Sequence, residues 1–225
     1  MIHSILLALA LVGTVDSTHL YRILMLRAAP GELLTVIDLY QQHLPAYDAA
    51  HQPRPFIMRH SQGDQWDLLL VFPMTADRVT LGDDAFRAQV EPHLAWREEV
   101  FVTGPPLGVV TAALSSGEFY HIEMHIALPG KQVELHHERE MENAFEHFLG
   151  RPEDLIFTRV AGAAWDIVTI GTFRDIKHYA ESADIPAARQ DSAARVAGYT
   201  SADAIGPYLR TLISTHHDTL ARAVH

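Results

Sequence analysis

The residues best suited to chemistry in this chain form a short alternating run, His121, Glu123 and His125. On an extended strand, side chains at i, i+2 and i+4 leave from one face, about 6–7 Å apart. Two imidazoles and a carboxylate then point the same way. Such a set suits a divalent transition metal such as iron, zinc or copper, the 2-His-1-carboxylate arrangement of non-haem iron being one form. The same imidazoles could act as general bases near neutral pH, or one could be an axial haem ligand. The residues leave these three open. Val133, His137, Met141, Ala144 and Phe148 recur at helical spacing, an apolar stripe with one histidine inside it. A stripe facing the strand turns His137 toward the cluster, as candidate catalytic base and further metal ligand, and leaves His136 solvated. The competing reading is a solvated strand face and a hydrogen-bonded core histidine.

Other polar groups read more simply. In His216-His217-Asp218, His216 shares a helical face with Leu209, Leu212 and Leu220, which predicts the polar end of an amphipathic helix. His178, Tyr179 and Glu181 could rim a pocket. Trp66-Asp67 and Trp165-Asp166 occur twice and read as structural, the Trp filling a helix–sheet core and the Asp holding a hairpin. No Gly-rich phosphate loop, Rossmann fingerprint or Gly-x-Ser-x-Gly elbow occurs.

The elements that must position these groups come as a repeat. Tyr21-Arg-Ile-Leu-Met-Leu-Arg-Ala-Ala-Pro-Gly31 lies over Tyr120-His-Ile-Glu-Met-His-Ile-Ala-Leu-Pro-Gly130 at an offset of 99, with six of eleven positions identical. Without a gap the offset also pairs Pro53 with Pro152, Gly63 with Gly162 and Trp66-Asp67 with Trp165-Asp166. The spacing predicts two units, 19–103 and 118–225, joined by a linker over 104–117. Each opens with a strand closed by Pro-Gly, then a helix over 32–48 or 131–149, then a hairpin of two strands turning at Gly63 or Gly162. Pro45 is expected to end or kink the first helix. Unit one adds a helix near 83–97 and a closing strand, 99–103. Unit two is expected to run into a helical tail, 174–183 and 201–224. His121, Glu123 and His125 match Arg22, Leu24 and Leu26, so one copy is polar where the other is largely apolar. That contrast predicts a working pocket in unit two and a scaffold in unit one.

The order β-α-β-β-α-β is the ferredoxin-like split unit, α+β, with helices on one face of its antiparallel sheet. Two such units can cover each other sheet to sheet. Over residues 19–180 the chain resembles the dimeric α/β-barrel superfamily in a tandem, single-chain form, on element order, the Pro-Gly after strand one and the duplication. The resemblance implies two antiparallel sheets packed face to face, and often a pocket between sheet and helices. It implies activities ranging over cofactor-free monooxygenases, haem-degrading and haem-binding enzymes and isomerases; the fold alone does not choose among them.

Composition bounds the rest. The 225 residues are 48% hydrophobic and carry a net charge of −11, with no cysteine. Disulfides, iron–sulfur clusters and thiolate zinc sites are excluded, and no basic patch recommends a nucleic-acid partner. Ile5–Val12 is an apolar run too short to span a bilayer. With Val15 and Ser17 at the −3 and −1 positions of a cut after Ser17, it fits a signal peptide over 1–17, although no Lys or Arg precedes it. The expectation is an exported protein, periplasmic or extracellular, without an integral membrane segment; the alternative is that the run is a first buried strand or helix of a cytoplasmic protein. It binds a small molecule, a metal or haem in unit two and is oxygenase-like if catalytic. The alternatives are a non-catalytic ligand- or haem-binding protein and an interaction module. Sheet edges would permit a homodimer.

Overall fold

The computed structural model describes residues 19–74 and 84–225; the expected signal peptide, 1–17, lies outside them. The first half runs β1 (His19–Ala28), α1 (Leu33–Ala49), β2 (Phe56–Gln62), β3 (Leu68–Pro73), α2 (Asp84–Val90) and β4 (Leu94–Gly104). After α3 (Leu107–Ser116), in the expected linker, come β5 (Phe119–Ala127), α4 (Gln132–Leu149), β6 (Leu155–Gly162) and β7 (Ile167–Phe173). The short helices α5 (Ile176–Ala180), α6 (Ala187–Ala197) and α7 (Ile205–Arg210) precede a last strand, β8 (Ile213–Ala223).

The tail is therefore a strand where a helix was expected. β4 and β8 are equivalent: they begin at Leu94 and Ile213, an offset of 119. The extra segment carrying α5 to α7 moves the repeat out of register, which hid the match. The apolar spacing Leu209, Leu212, His216, Leu220 mimics a helix by coincidence. Pro45 neither ends nor interrupts α1, which continues to Ala49.

Each half builds an antiparallel sheet, β4-β1-β3-β2 and β8-β5-β7-β6. The sheets join at both edges, β2 to β8 and β4 to β6, into one closed eight-stranded barrel. The two expected facing sheets are thus opposite walls of a single barrel. No sheet edge among the described residues is left for the edge pairing expected of a homodimer. No helix among them is long and apolar enough to cross a membrane.

Strand alternation sorts the side chains. Tyr21, Ile23 and Met25 of β1 and Tyr120, Ile122 and Met124 of β5 point into the barrel and meet Phe157, Val100 and Val168. Trp66 and Trp165 join this interior cluster, not the helix–sheet layers expected for them. Between those indoles and α3, which adds Val110 and Leu114, the barrel is a packed core. The alternate residues face outward to the helices: Leu24 and Leu26 against Val36, Ile37 and Tyr40 in the first half.

The Asp residues hold the hairpins as expected, and identically in both halves. Asp67 Oδ2 accepts the Ala28 N–H at 2.8 Å and Asp166 Oδ2 accepts the Ala127 N–H at 2.9 Å. The Asp67 and Asp166 amides donate to the carbonyls of Leu26 and His125. Gly63 and Gly162 occupy equivalent turns at φ of +126° and +97°. Each brings its hairpin against the other half's last strand, so closely that a Cβ would collide with the carbonyl of Asp218 or Glu99.

A polar cluster on the outer face of the second sheet

The register of β8, β5 and β7 stacks polar residues in rows on the helix-facing side. Asp218, Glu123 and Thr169 form one row; Leu220, His121 and Gly171 flank it on one side, and His216, His125 and Ile167 on the other. Residues directly opposed across neighbouring strands share a face. His121, Glu123 and Asp218 consequently converge, with one donor atom from each lying within 4.8 Å of the others. His121 Nε2 is 3.8 Å from one Asp218 oxygen and His216 Nε2 is 3.3 Å from the other. Tetrahedral bonds of about 2.0–2.2 Å place ligand atoms roughly 3.3–3.6 Å apart. The three donor atoms, within 4.8 Å of one another, stand as a looser set than that.

The expected residues are not all brought together. His121 and Glu123 belong to the cluster. His125 is on the same face but fully buried, its ring stacked on His216 at 5.9 Å and 10°; burial, helped by Arg139, pushes its pKa down to about 2 and keeps it neutral. His137 does not face the strands. Its side chain is 69% exposed and pairs with Glu140. The stripe expected to orient it does not meet the sheet: Val133 is exposed, Phe148 half exposed, and Met141 packs with Ala193, Ala194 and Tyr199. The buried face is Leu135, Glu138, Arg139, Phe145 and Leu149. The ungapped repeat contained the answer, since it places His137 over Asp38, which is exposed in α1. His136, expected to be solvated, is half-buried with its Nδ1 2.9 Å from Thr158 Oγ1.

Arg139 takes the place assigned to His137. Its guanidinium lies 3.1 Å from Glu123, 2.6 Å from Glu138 and 2.5 Å from Glu142. Burial opposes its charge, and the three carboxylates more than restore it. Glu138, itself fully buried, also accepts from the Tyr199 hydroxyl at 3.0 Å. Burial raises the Glu123 carboxyl well above the ordinary range, Arg139 acting against it. Burial lowers the pKa of His121, with Asp218 and Glu142 opposing, so that its neutral, ligating form prevails at pH 7. Where Phe72 stands in the first half, Gly171 makes room for Asp154, whose carboxyl burial pushes up to about 7. Arg139 and Asp154 were missed by sequence reasoning, and Asp218 was read only as part of a polar tail, His216-His217-Asp218. Asp218 was hidden by the helical reading of the tail, and Arg139 was legible only through its repeat partner, the inward Tyr40.

Haem, one of the groups raised from the sequence, does not fit this place. Arg139 and its carboxylates, with Leu135 packed on Ile167, fill the space between α4 and the sheet. The one imidazole there that is fully buried, His125, is stacked on His216.

No family model matches the sequence, and comparison with curated proteins finds no match. Solved structures are similar over nearly the whole chain. An anthrone oxidase-like protein superposes with a TM-score of 0.61 at 11% identity, covering 93% of this chain and 92% of its own. A candidate monooxygenase from Lactobacillus acidophilus superposes at 0.57 and 8% identity, covering 92% and 94%. A chlorite dismutase variant from Candidatus Nitrospira defluvii superposes at 0.50 and 10% identity, covering 93% and 92%. At such identities the likeness is one of architecture. The chain folds as a single-chain dimeric α/β barrel, two ferredoxin-like units closed into eight antiparallel strands.

Proposed function

We propose that this protein binds a divalent first-row transition metal on the helix-facing side of its second half and uses it in oxygenase-type chemistry on a small organic molecule. The observation that carries the reading is the convergence of His121, Glu123 and Asp218 from adjacent strands to within 4.8 Å. The equivalent positions in the first half are Arg22, Leu24 and Glu99, so the cluster is not a by-product of the fold. One imidazole and two carboxylates, with His216 alongside, suit iron, manganese or zinc. His121 is already neutral, and an incoming cation would restore the anion of Glu123. When bound, a redox-active metal would supply the oxygen chemistry proposed here; an anthrone oxidase-like protein and a candidate monooxygenase share the architecture. His121 and Asp218 would orient it from the open side. Glu123, held by Arg139 and by Thr169 at 3.3 Å, would anchor it from below.

Cobalt titration of chelator-stripped protein tests this. The wild type is expected to take up one equivalent with a visible d–d band. Asp218→Asn and His121→Ala should each weaken uptake by at least about tenfold, and His137→Ala should not. No uptake at millimolar cobalt, or uptake indifferent to Asp218→Asn, would overturn the reading.

A further inference from the structure

The extra segment that follows β7 opens with α5, and α5 is fastened at the edge of the metal cluster. The Asp175 side chain caps it, accepting the His178 N–H at 2.8 Å. Arg151 donates to the Tyr179 carbonyl at 3.2 Å. Of the three polar residues that the sequence offers here as a pocket rim, two are engaged elsewhere. His178 packs against Phe173 and accepts the Arg174 N–H at 3.2 Å, and Glu181 stands 3.6 Å from Arg174 on the exposed side.

Tyr179 is the one that meets the cluster. Its ring centre lies 5.2 Å from that of Phe173 and 5.8 Å from that of Phe119, residues opposed across β7 and β5. It also lies 5.3 Å from the imidazole of His121, two residues further along β5. Three rings therefore fix it in place. The hydroxyl at its far end is within the field of the cluster: burial, and then the charges of Glu123 and Asp218, strengthen its hold on the proton. Tyr179 is hydrogen-bonded through its backbone, to Arg151, Ser182 and Asp175. Its hydroxyl has no partner among the described residues. A half-buried phenol in that condition is free to donate to whatever occupies the space beside it.

We infer that Tyr179 is a positioning residue of the metal site, its hydroxyl donating a hydrogen bond to a small anion that enters beside the metal on the open side of His121 and Asp218. The inference rests on the proposed metal site and adds the class of ligand it accepts, one with an anionic acceptor atom, held between the cation and the phenol.

The probe is azide, titrated into the cobalt-loaded full chain and followed through the d–d band. Tyr179→Phe keeps the ring among its three neighbours and removes only the hydroxyl. It is expected to weaken azide by about fivefold or more while leaving cobalt affinity unchanged. Ile176→Ala, at an exposed position of the same helix, should change neither, which separates a lost donor from a loosened α5. Cobalt uptake with equal azide affinity in the wild type and Tyr179→Phe would overturn the inference and leave the metal site standing, as would cobalt uptake without saturable azide binding. Equal losses of cobalt and azide affinity in Tyr179→Phe, or the same azide loss in Ile176→Ala, would make the tyrosine merely structural and overturn it too. No cobalt uptake at all would overturn the metal site, and this inference with it.

Discussion

Arg139 enters the second half as one cation among Glu123, Glu138 and Glu142, and its removal leaves buried carboxylates without a counter-charge. Arg139→Met is expected to cost about 3–5 kcal/mol, read from urea denaturation, whereas His137→Ala on the opposite side of α4 should cost less than about 0.5 kcal/mol. The two differ because adjacent positions on a helix point about 100° apart and only one face of α4 meets the sheet. His121 and Glu123 were legible because strand alternation is unambiguous over three residues. The helix was not, because α4 carries apolar residues on both faces and its inward face includes Glu138 and Arg139. Asp154 offers a pH test. Its carboxyl is raised to about 7, chiefly by burial and then by Glu142 and Glu146, with Arg139 and Arg151 opposing. A folded-state value above the unfolded one of about 3.9 means that its contribution is fully present below pH 4 and lost as pH rises through 7. Asp154→Asn should therefore stabilise the fold by about 1–3 kcal/mol at pH 8 and by little at pH 4, measured as denaturation midpoints at both.

At the scale of elements, the duplicated hairpins explain why the repeat persisted in the sequence. Asp67 and Asp166 each tie a strand end to a hairpin through the same backbone groups, and Gly63 and Gly162 each let a hairpin pass the other half's last strand. These are geometric requirements of closure, so residue identity survives at an offset of 99. β4 and β8 carry no such signature: their equivalence is one of backbone pairing, displaced by the inserted helices, and β8 reads equally as the end of a helix. Asp67→Ala and Asp166→Ala should each cost about 1–3 kcal/mol, Asp166→Ala more because Asp166 also pairs with Arg159 at 2.6 Å. Thermal midpoints of the two variants provide the check; an unaffected Asp166→Ala protein would separate the halves' folding rules.

For the whole molecule, one barrel presents two helix-covered faces built to the same plan and given different polar groups. The first has Arg22 over Phe72, and the second has carboxylates and imidazoles packed by a buried arginine. The interior between them is filled by side chains, so the proposed metal site lies on an outer face, under the helices. His121, Glu123 and Asp218 converge in the second half, where the equivalent first-half positions are Arg22, Leu24 and Glu99. Crystals grown with cobalt and measured across its absorption edge test the central assignment directly. The account predicts one strong anomalous peak per chain, bounded by His121, Glu123 and Asp218. A peak only elsewhere among the fifteen histidines, or none at full occupancy of the soak, would contradict it.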